Sequence, residues 1–374
     1  MEEIIEIIDF MAASRCREVI ETGSLSGGNN GPYHDPETEL RVSAHWISTF
    51  KYEYTKTRND IYRKAIEILA DNIFNKQEPN GTFICRNKEG KDRINGSIGT
   101  AWIVEGLISA AQVCKNDEYY GSAVKAFLAQ PFDYEIGLWK RRDIDDTILS
   151  YDGTYNHQLW LAAAGAQICA YKNCDQVDER VLSFLDHSIS TFHTFPNGLA
   201  HHFVYFNKPF KRAIKSRRNF YKEQLLRKLK KPSYEYKEEG YHNFSVYAFA
   251  ILHHYYPEHP FFQCAAFKRA LEYSLNFQNS FALSKNDRTA DGTGMAQKTN
   301  CECNIFGFSY NSPAFEMPLI VREFSGSNCK TEINELVKQQ IELNYDPEKH
   351  SFCRNTEDAI TLDARIYEFI KGIE

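Results

Sequence analysis

The chain lacks the features that mark several classes of protein. Its ten cysteines stand at irregular spacings without a Cys-x-x-Cys set, which argues against a disulfide scaffold and a zinc site of ordinary spacing. The net charge of −6 argues against a general nucleic-acid binder. The acidic N-terminus carries no secretory signal, and we see no window near the roughly 18 apolar residues of a membrane span. We therefore expect a cytoplasmic protein with free thiols, no metal and no cofactor.

What is present is sufficient for a large packed core. The 374 residues are 43% hydrophobic and include 22 Tyr and 26 Phe. A tyrosine offers a flat apolar face with a polar tip, which suits a sugar ring as well as a core. The length alone allows two domains, although single-domain barrels of this size are common.

Two kinds of helical pattern alternate along the chain. Some segments are apolar on all sides, as in a buried helix, and each is followed by a segment with one apolar stripe, as in a helix that faces solvent. The buried helices are predicted to begin near positions 43, 98, 156, 241, 312 and 361. A repeat of this length is a fold-level signal, and an N-terminal helix could supply the sixth outer partner. The sequence therefore predicts an all-α fold, an (α/α)6 toroid of inner and outer helices, as one domain over residues 1–374.

In such a toroid the loops that open the inner helices gather at one end and form a cleft. Tyr, His and Asn recur at these points, where a polyhydroxylated ligand would find hydrogen-bond partners, although Asn and Ser there could simply cap helices. Two tryptophans nearby could stack on sugar rings. The predicted substrate-binding residues are His45, Trp46, Trp102, Tyr155, Asn156, Tyr241, Asn243, Tyr310 and Asn311.

The stretch 139–168 concentrates chemistry at a junction between a loop and an apolar helix. Acids at positions 143, 145, 146 and 152 precede a Tyr-Asn-His triplet. A rigid helix can hold such groups in fixed positions. The predicted catalytic residues are Asp145, Asp146, Asp152, His157 and His242.

Asp152-Gly153-Thr154-Tyr155, leading into an Ala-rich helix, resembles the motif of the unsaturated glucuronyl and rhamnogalacturonyl hydrolases, which are six-hairpin (α/α)6-barrel proteins. The resemblance implies that Asp152 is a proton donor or general base. Asn156-His157 stands where that family usually has Met and small residues. The residues 361–365 also have the look of a closing hairpin in such barrels.

The combination of Asn, His and Tyr is similar to that of toroid polysaccharide lyases and uronate epimerases. This resemblance implies that a neutral His or a Tyr takes the proton alpha to a carboxyl group while an amide quenches the carboxylate charge. Amide and imidazole donors stabilise the enediolate that develops, and the base needs only hydrogen-bond reach.

A competing interpretation rests on Asp143-Ile144-Asp145-Asp146-Thr147, which resembles the Asp-x-Asp-Asp-Thr motif of class II terpene cyclases. There, crowded carboxylates keep one acid protonated so that it can protonate an alkene. The turn residues 150–153 interrupt the helix that should continue from such a motif. A solvated acidic loop is the simpler alternative.

A basic insertion at about 206–232 interrupts the helical pattern, with eleven Lys and Arg between Lys208 and Lys231. It could cover an anionic sugar polymer, a lipid-linked diphosphate or a membrane surface. A solvated helical hairpin is the alternative. Adjacent histidines at 201–202 and 253–254 point in different directions and do not predict a metal site.

The preferred hypothesis is a carbohydrate-active enzyme that acts on an acidic glycan or oligosaccharide by glycoside hydrolysis or by uronate elimination or epimerisation. Asp152 would be the general acid, and His157 and His242 the base or substrate anchors. Asp145 and Asp146 would support them. The alternatives are a terpene-cyclase-like enzyme, which needs a closed aromatic cavity, and a non-catalytic toroid that binds a glycan or a protein.

Overall fold

The computed structural model describes residues 1–205, 225, 232–284, 304–326 and 329–374, and the side chains of 232–235 are not described. Of the predicted basic insertion, only Leu225 and the backbone of Pro232 fall in these ranges, so that prediction lies outside the described residues. In chain order the helices are α1 (Glu2–Thr22), α2 (Leu40–Thr57), α3 (Asp60–Asn75), α4 (Gly96–Cys114), α5 (Asp117–Ala129), α6 (Tyr155–Tyr171), α7 (Asp175–Thr191), α8 (Pro232–Tyr255), α9 (Ala265–Leu275), α10 (Phe277–Ala282), α11 (Pro313–Phe324), α12 (Lys330–Asn344), α13 (Ala359–Ala364) and α14 (Ile366–Ile373).

Six of these helices form a closed inner ring. Each packs against the next in the order α2, α4, α6, α8, α11, α14, and α14 returns to α2. Helices α2 and α4 approach each other most closely at a glycine. A Cβ on Gly106 of α4 would lie 2.6 Å from the Cα of Ala44 in α2. The predicted (α/α)6 toroid is confirmed.

The outer layer consists of the amphipathic helices that follow each inner helix. Helices α3, α5, α7, α9 and α12 each lie against the inner helix before them in the chain. Helix α1 packs on α3, and the Met1 ammonium donates to Asn334 of α12 at 3.2 Å. The N-terminal helix therefore fills the sixth outer position, as the sequence predicted.

Helix α4 corrects one expectation. It is long and apolar enough to cross a membrane by length and composition, whereas the sequence was read as having no such window. In the structure 83% of its apolar window is buried inside the protein. Because α4 lies in the inner ring between α2 and α6, this burial is the pattern of a core helix.

A small antiparallel sheet lies between α5 and α6 and was not predicted. Its strands are β1 (Phe132–Asp133), β2 (Leu138–Arg142) and β3 (Ile148–Tyr151), in that order across the sheet. Lys140 pairs with Tyr151, and Arg142 pairs with Ile148. The sheet carries the chain from the outer layer back to the start of α6, where the functional side chains begin.

Candidate functional site

The loops that open the inner helices meet at one end of the barrel, which we call the mouth. Tyr310, before α11, donates its hydroxyl to Asn30 Oδ1 at 3.0 Å. Asn30 Nδ2 in turn lies 3.4 Å from Asn95 Oδ1, just before α4. The N–H of Ser97 donates to Asp152 Oδ2 at 2.9 Å, in the loop before α6. Loops distant in sequence thus share one surface at the mouth.

Asp152 and His157 form a hydrogen-bonded pair at the start of α6. Asp152 Oδ2 lies 2.9 Å from His157 Nδ1, and it also accepts from Ser97 Oγ at 3.2 Å. Burial alone would raise the pKa of Asp152, but the interactions with His157 and the Ser97 N–H outweigh it and hold that pKa well below its usual range. Asp152 is therefore a carboxylate at neutral pH.

This pairing changes the role predicted for Asp152. An ionised carboxylate has no proton to give, so the low pKa contradicts the assignment of Asp152 as general acid. A carboxylate that accepts from Nδ1 fixes the imidazole ring and leaves Nε2 to exchange a proton with a ligand. The His157 side chain keeps 26% of its surface exposed, against 8% for Asp152. His157 is thus the accessible member and Asp152 the residue that positions it.

Gly96 makes room for this pair. Its φ is +65°, and a Cβ there would lie 2.5 Å from Asp152 Oδ2 and 2.7 Å from His157 Nδ1. The preceding Asn95 is also left-handed, with φ 58°. The sharp turn into α4 therefore lets the backbone approach the carboxylate closely enough for Ser97 to donate to it.

His202, which the sequence suggested only as a metal ligand and not as a site residue, lies beside this pair. An extended segment holds it there, because Tyr155 N donates to His202 O at 2.9 Å and Val204 N donates to Gly153 O at 3.0 Å. Burial lowers the pKa of His202 well below its usual value, and the charges of Lys237 and His157 lower it further. His202 is accordingly neutral at pH 7, the state a general base requires.

A small cavity at the mouth, with a free volume of about 10 Å³, brings His202 together with two residues that the sequence predicted. Asn156 and Tyr241 line it, together with Glu238. Asn156 Oδ1 is buried and has no hydrogen-bond partner among the described residues. Burial raises the pKa of Tyr241 well above its usual value, as do the nearby Tyr33 and Tyr310, so its phenol stays protonated and can donate. The placement suits ligand binding, which stays a prediction.

A ring of hydrogen bonds beside the cavity joins three of the mouth loops to α2. Asn95 Nδ2 donates to Glu37 Oε1 at 2.7 Å, and Arg41 donates to Glu37 Oε2 at 2.9 Å. Arg41 also lies 3.4 Å from the Tyr310 hydroxyl, which returns to Asn95 through Asn30. Glu37 and Arg41 were not predicted, because a charged pair before a helix usually indicates a solvated surface.

Two predicted residues of the barrel lumen are enclosed by protein groups. The Arg41 guanidinium lies 3.9 Å from the centroid of Trp102, so that face of the indole is not open to a sugar ring, and Trp102 is 3% exposed. His45 lies one turn further along α2 and stacks on Tyr367 at 4.4 Å. Burial and the charge of Arg41 lower the pKa of His45. Its ring nitrogens have no partner within the described ranges.

The predicted Asn311 belongs to a buried charge cluster. Its Oδ1 accepts from Arg365 at 2.5 Å, and Arg365 also donates to Glu316 at 2.9 Å and to Glu368 at 2.7 Å. All four residues are at most 1% exposed. Asn311 therefore satisfies a buried arginine, and the prediction that it binds substrate is not supported by its contacts.

Two other predicted residues point from the inner helices toward the outer layer. Tyr155 donates to Ser188 Oγ of α7 at 2.9 Å. His242 Nδ1 accepts from the N–H of Ala200 at 3.1 Å, and its Nε2 lies 3.0 Å from the carbonyl oxygen of Ala270. Both nitrogens of His242 are thus engaged, and burial lowers its pKa to about 4. These contacts do not support the substrate-binding role predicted for Tyr155 or the role of base or substrate anchor predicted for His242, and both roles stay predictions.

Asn243 and Trp46 are corrected for the same reason. Asn243 donates to Ser280 Oγ at 2.9 Å and accepts from Ser274 Oγ at 2.9 Å, both in the outer layer. Trp46 is 1% exposed and packs on Phe50 with ring centroids 5.7 Å apart. Neither side chain can reach a ligand at the mouth.

The acids Asp145 and Asp146 lie exposed in the turn between β2 and β3. Asp145 accepts from the N–H of Thr147 at 3.0 Å, and backbone and side-chain hydrogen bonds from Thr147 lower its pKa. Asp146 lies 3.5 Å from Arg142. A terpene cyclase needs an acid held protonated in a dry cavity, so these contacts contradict that interpretation and the supporting roles predicted for both acids.

Among the described residues, no group of three or more His, Cys, Asp or Glu could hold a metal ion.

The architecture and the mouth define a class of protein, the six-hairpin (α/α)6 barrels. A sugar epimerase from a ruminal bacterium has this fold with a TM-score of 0.61 and 12% identity, over 94% of this chain and 92% of that one. The unsaturated glucuronyl hydrolase of Bacillus sp. GL1 has a TM-score of 0.58 and 10% identity, over 99% and 96% of the two chains. At these identities the likeness shows the fold. The predicted resemblance to this class is confirmed.

The sequence itself has a more specific relative. Archaeal glycosylation protein Q of Haloferax volcanii is 35% identical over 357 residues, which cover 92% of this chain and 91% of that protein. A scan against protein-family models gives no match. The chain belongs to the family of archaeal glycosylation protein Q.

Proposed function

We propose that the protein is a carbohydrate-active enzyme of glycosylation that epimerises an acidic sugar by moving a proton at the carbon next to its carboxyl group. One observation carries the proposal: the carboxylate-oriented His157 and the neutral His202 lie at the same mouth, beside a cavity lined by Asn156 and Tyr241. Two imidazoles at one site suit a reaction in which one group takes a proton and another returns it.

The reaction balances with these groups alone. One imidazole takes the proton from the carbon, and the electron pair of that C–H bond moves into an enediolate. The other histidine, which must start as an imidazolium, returns its proton to the opposite face of the same carbon, which inverts it and leaves that ring neutral until both histidines exchange protons with solvent. The Tyr241 hydroxyl can donate to the enediolate oxygen. In an elimination the second step would instead expel the group on the next carbon.

Hydrolysis is less well supported by the geometry. Glycosidases of the common kind use two carboxyl groups about 5 to 9.5 Å apart, one of which is an acid. Here Asp152 is ionised and bonded to Ser97 and His157. Glu238 is the other described carboxyl group at the cavity. Because Asp152 is ionised and bonded, Glu238 is the one described carboxyl group left that could serve as an acid, whereas the two imidazoles favour proton transfer at carbon.

The comparisons support the carbohydrate class. The related protein of Haloferax volcanii is named for glycosylation. Two proteins of the same fold are a sugar epimerase and an unsaturated glucuronyl hydrolase, and a third, from Bacillus thermoamylovorans, is a cellobiose 2-epimerase with a TM-score of 0.61. The three proteins of this fold are named for sugar substrates. The type of reaction must therefore be inferred from the residues of this site.

Solvent exchange tests the proposal. Uronate-containing oligosaccharides would be incubated with the protein in D2O and analysed by NMR and mass spectrometry. Epimerisation places deuterium on the carbon next to the carboxyl group and inverts it. Elimination yields an unsaturated sugar, and hydrolysis yields a new reducing end without deuterium at carbon.

Variants at the two histidines complete the test. His157→Gln and His202→Gln should each slow deuterium incorporation by about 10²–10⁴-fold. His254→Gln is the matched control, because this exposed histidine lies in the last turn of α8 and contacts Glu323. Absence of exchange with every uronate tried, or full activity in both site variants, would remove the proposal.

A further inference from the structure

Lys237 lies on α8 directly before Glu238, a residue that lines the cavity. It lies four residues before Tyr241 on α8, so the two side chains share a helix face. Its ammonium is 5.1 Å from the centroid of the Tyr33 ring, and Tyr33 is near enough to Tyr241 to raise the pKa of that phenol. These contacts place a positive charge next to Tyr33, on the same face of α8 as Tyr241.

A second lysine at the same ring provides a comparison. Lys91 lies 5.9 Å from the Tyr33 centroid, but its ammonium is paired with the buried carboxylate of Asp35. Within the described ranges, no acid lies at ion-pair distance from Lys237. Among the described residues, one of the two lysines on this ring is therefore paired with an acid and the other is not.

The charge of Lys237 reaches the proposed reaction centre. It is one of the two charges that lower the pKa of His202, the other being His157. An uncompensated cation in a partly buried cleft attracts anionic ligands and orients them. A carboxyl group bound there would lie next to the histidines, where the proton of the adjacent carbon would be moved.

We infer that Lys237 is the specificity-determining residue for the substrate, and that it binds the carboxylate of a hexuronic acid held at the mouth between Tyr33, Tyr241 and His202. The inference rests on the proposed function for the identity of the site and adds the residue that selects the substrate. The same ammonium would also favour the enediolate, whose added negative charge lies on the carboxyl oxygens.

Binding separates this role from catalysis. The methyl glycoside of a hexuronic acid, the corresponding neutral methyl hexoside and a hexose phosphate would be titrated into the full-length protein by calorimetry and ligand-observed NMR. Lys237→Met removes the charge but keeps most of the stem, and Lys91→Met is the matched control on the other side of Tyr33. Lys237→Arg keeps the charge.

Lys237→Met should weaken binding of the hexuronate by about tenfold and leave the neutral hexoside within about twofold. Lys91→Met should change neither by more than about twofold, and Lys237→Arg should restore most of the hexuronate affinity. An equal loss for hexuronate and neutral hexoside, or an equal loss in Lys91→Met, would overturn the inference. So would stronger binding of the hexose phosphate than of the hexuronate.

The outcomes also separate this inference from the function beneath it. If Lys237→Met loses hexuronate binding selectively but no uronate exchanges deuterium, the specificity role stands and the proposed reaction fails. If exchange depends on both histidines but hexuronate binding ignores Lys237, the reaction stands and the specificity role fails.

Discussion

Asp152 Oδ2 lies 2.9 Å from Nδ1 of His157, across a single turn of backbone at the start of α6. The carboxylate is buried while the imidazole remains partly exposed to solvent. Such an arrangement assigns different tasks to two neighbouring residues. The Asp152 carboxylate supplies a negative charge and orients the imidazole ring, and His157 supplies the nitrogen that a substrate can reach.

Asp152→Asn tests that division. The amide keeps the shape but removes the charge, and its NH2 group can favour the wrong histidine tautomer, so the proposed exchange reaction should slow by about 10²–10⁴-fold. The KM should change little, because Asp152 does not face the ligand. Steady-state exchange rates measure both quantities. A variant with wild-type turnover would show that Asp152 does not position His157.

Gly96→Ala should disturb both stability and the pair. The added Cβ meets Asp152 Oδ2 and His157 Nδ1, and the residue must keep a left-handed φ. We expect a loss of about 1–3 kcal/mol in the free energy of unfolding, measured by urea denaturation. Gly121→Ala is the control, since nothing lies within 4 Å of a Cβ there, and it should stabilise α5 by about 0.5–1 kcal/mol. Equal effects at both glycines would contradict the close approach at Gly96.

Glu53 should make stability depend on pH. Burial and the nearby Asp9 raise the pKa of Glu53 to about 7, so between pH 4.5 and 7 the folded state binds more protons than the unfolded state. The free energy of unfolding should therefore fall as pH rises through this window, by about 1–3 kcal/mol. Urea denaturation at pH 5 and pH 8 measures the fall.

Glu53→Gln should reduce this fall, because the amide cannot ionise. The exposed Glu342→Gln should leave it as in the wild type. A wild-type protein as stable at pH 8 as at pH 5, or a variant with the same fall, would mean that Glu53 is not protonated in the folded state at pH 5.

Glu37→Gln should destabilise the mouth. Glu37 and Arg41 are 8% and 3% exposed, and removing one charge of a buried pair leaves the other uncompensated, which costs about 3–5 kcal/mol. Thermal and urea unfolding would report it. Glu67→Gln breaks the exposed pair with Arg63 and should cost at most about 1 kcal/mol. A loss of that smaller size at Glu37 would show that the ring of hydrogen bonds does not depend on the charge.

The fold could be predicted from sequence because burial leaves a direct mark on an inner helix. Helix α4 is apolar on every side since it touches two inner neighbours and an outer partner. The predicted starts near 98, 156 and 312 fall within two residues of the observed ones. The short sheet was missed, because strands of two to five residues leave little periodic signal.

The site was predicted only in part, because adjacent residues on an inner helix face different layers. Each residue turns about 100° around the axis, so Tyr241 faces the mouth while His242 faces the outer layer. The same step separates Asn156 from Tyr155. Sequence patterns located the right turn of the helix but not the right residue within it. His202 has no helical pattern to locate it, since it lies in an extended segment.

The hydrogen bond between Tyr310 and Asn30 joins residues 280 positions apart. It crosses the seam where α14 closes the inner ring onto α2. The presence of this hydrogen bond at the mouth therefore indicates that the inner ring of helices is closed. A molecule in which α14 has separated from α2 can retain nearly all its helical content and still lack the arrangement of side chains at the mouth. For this architecture, the helical content and the closure of the ring are therefore separate quantities.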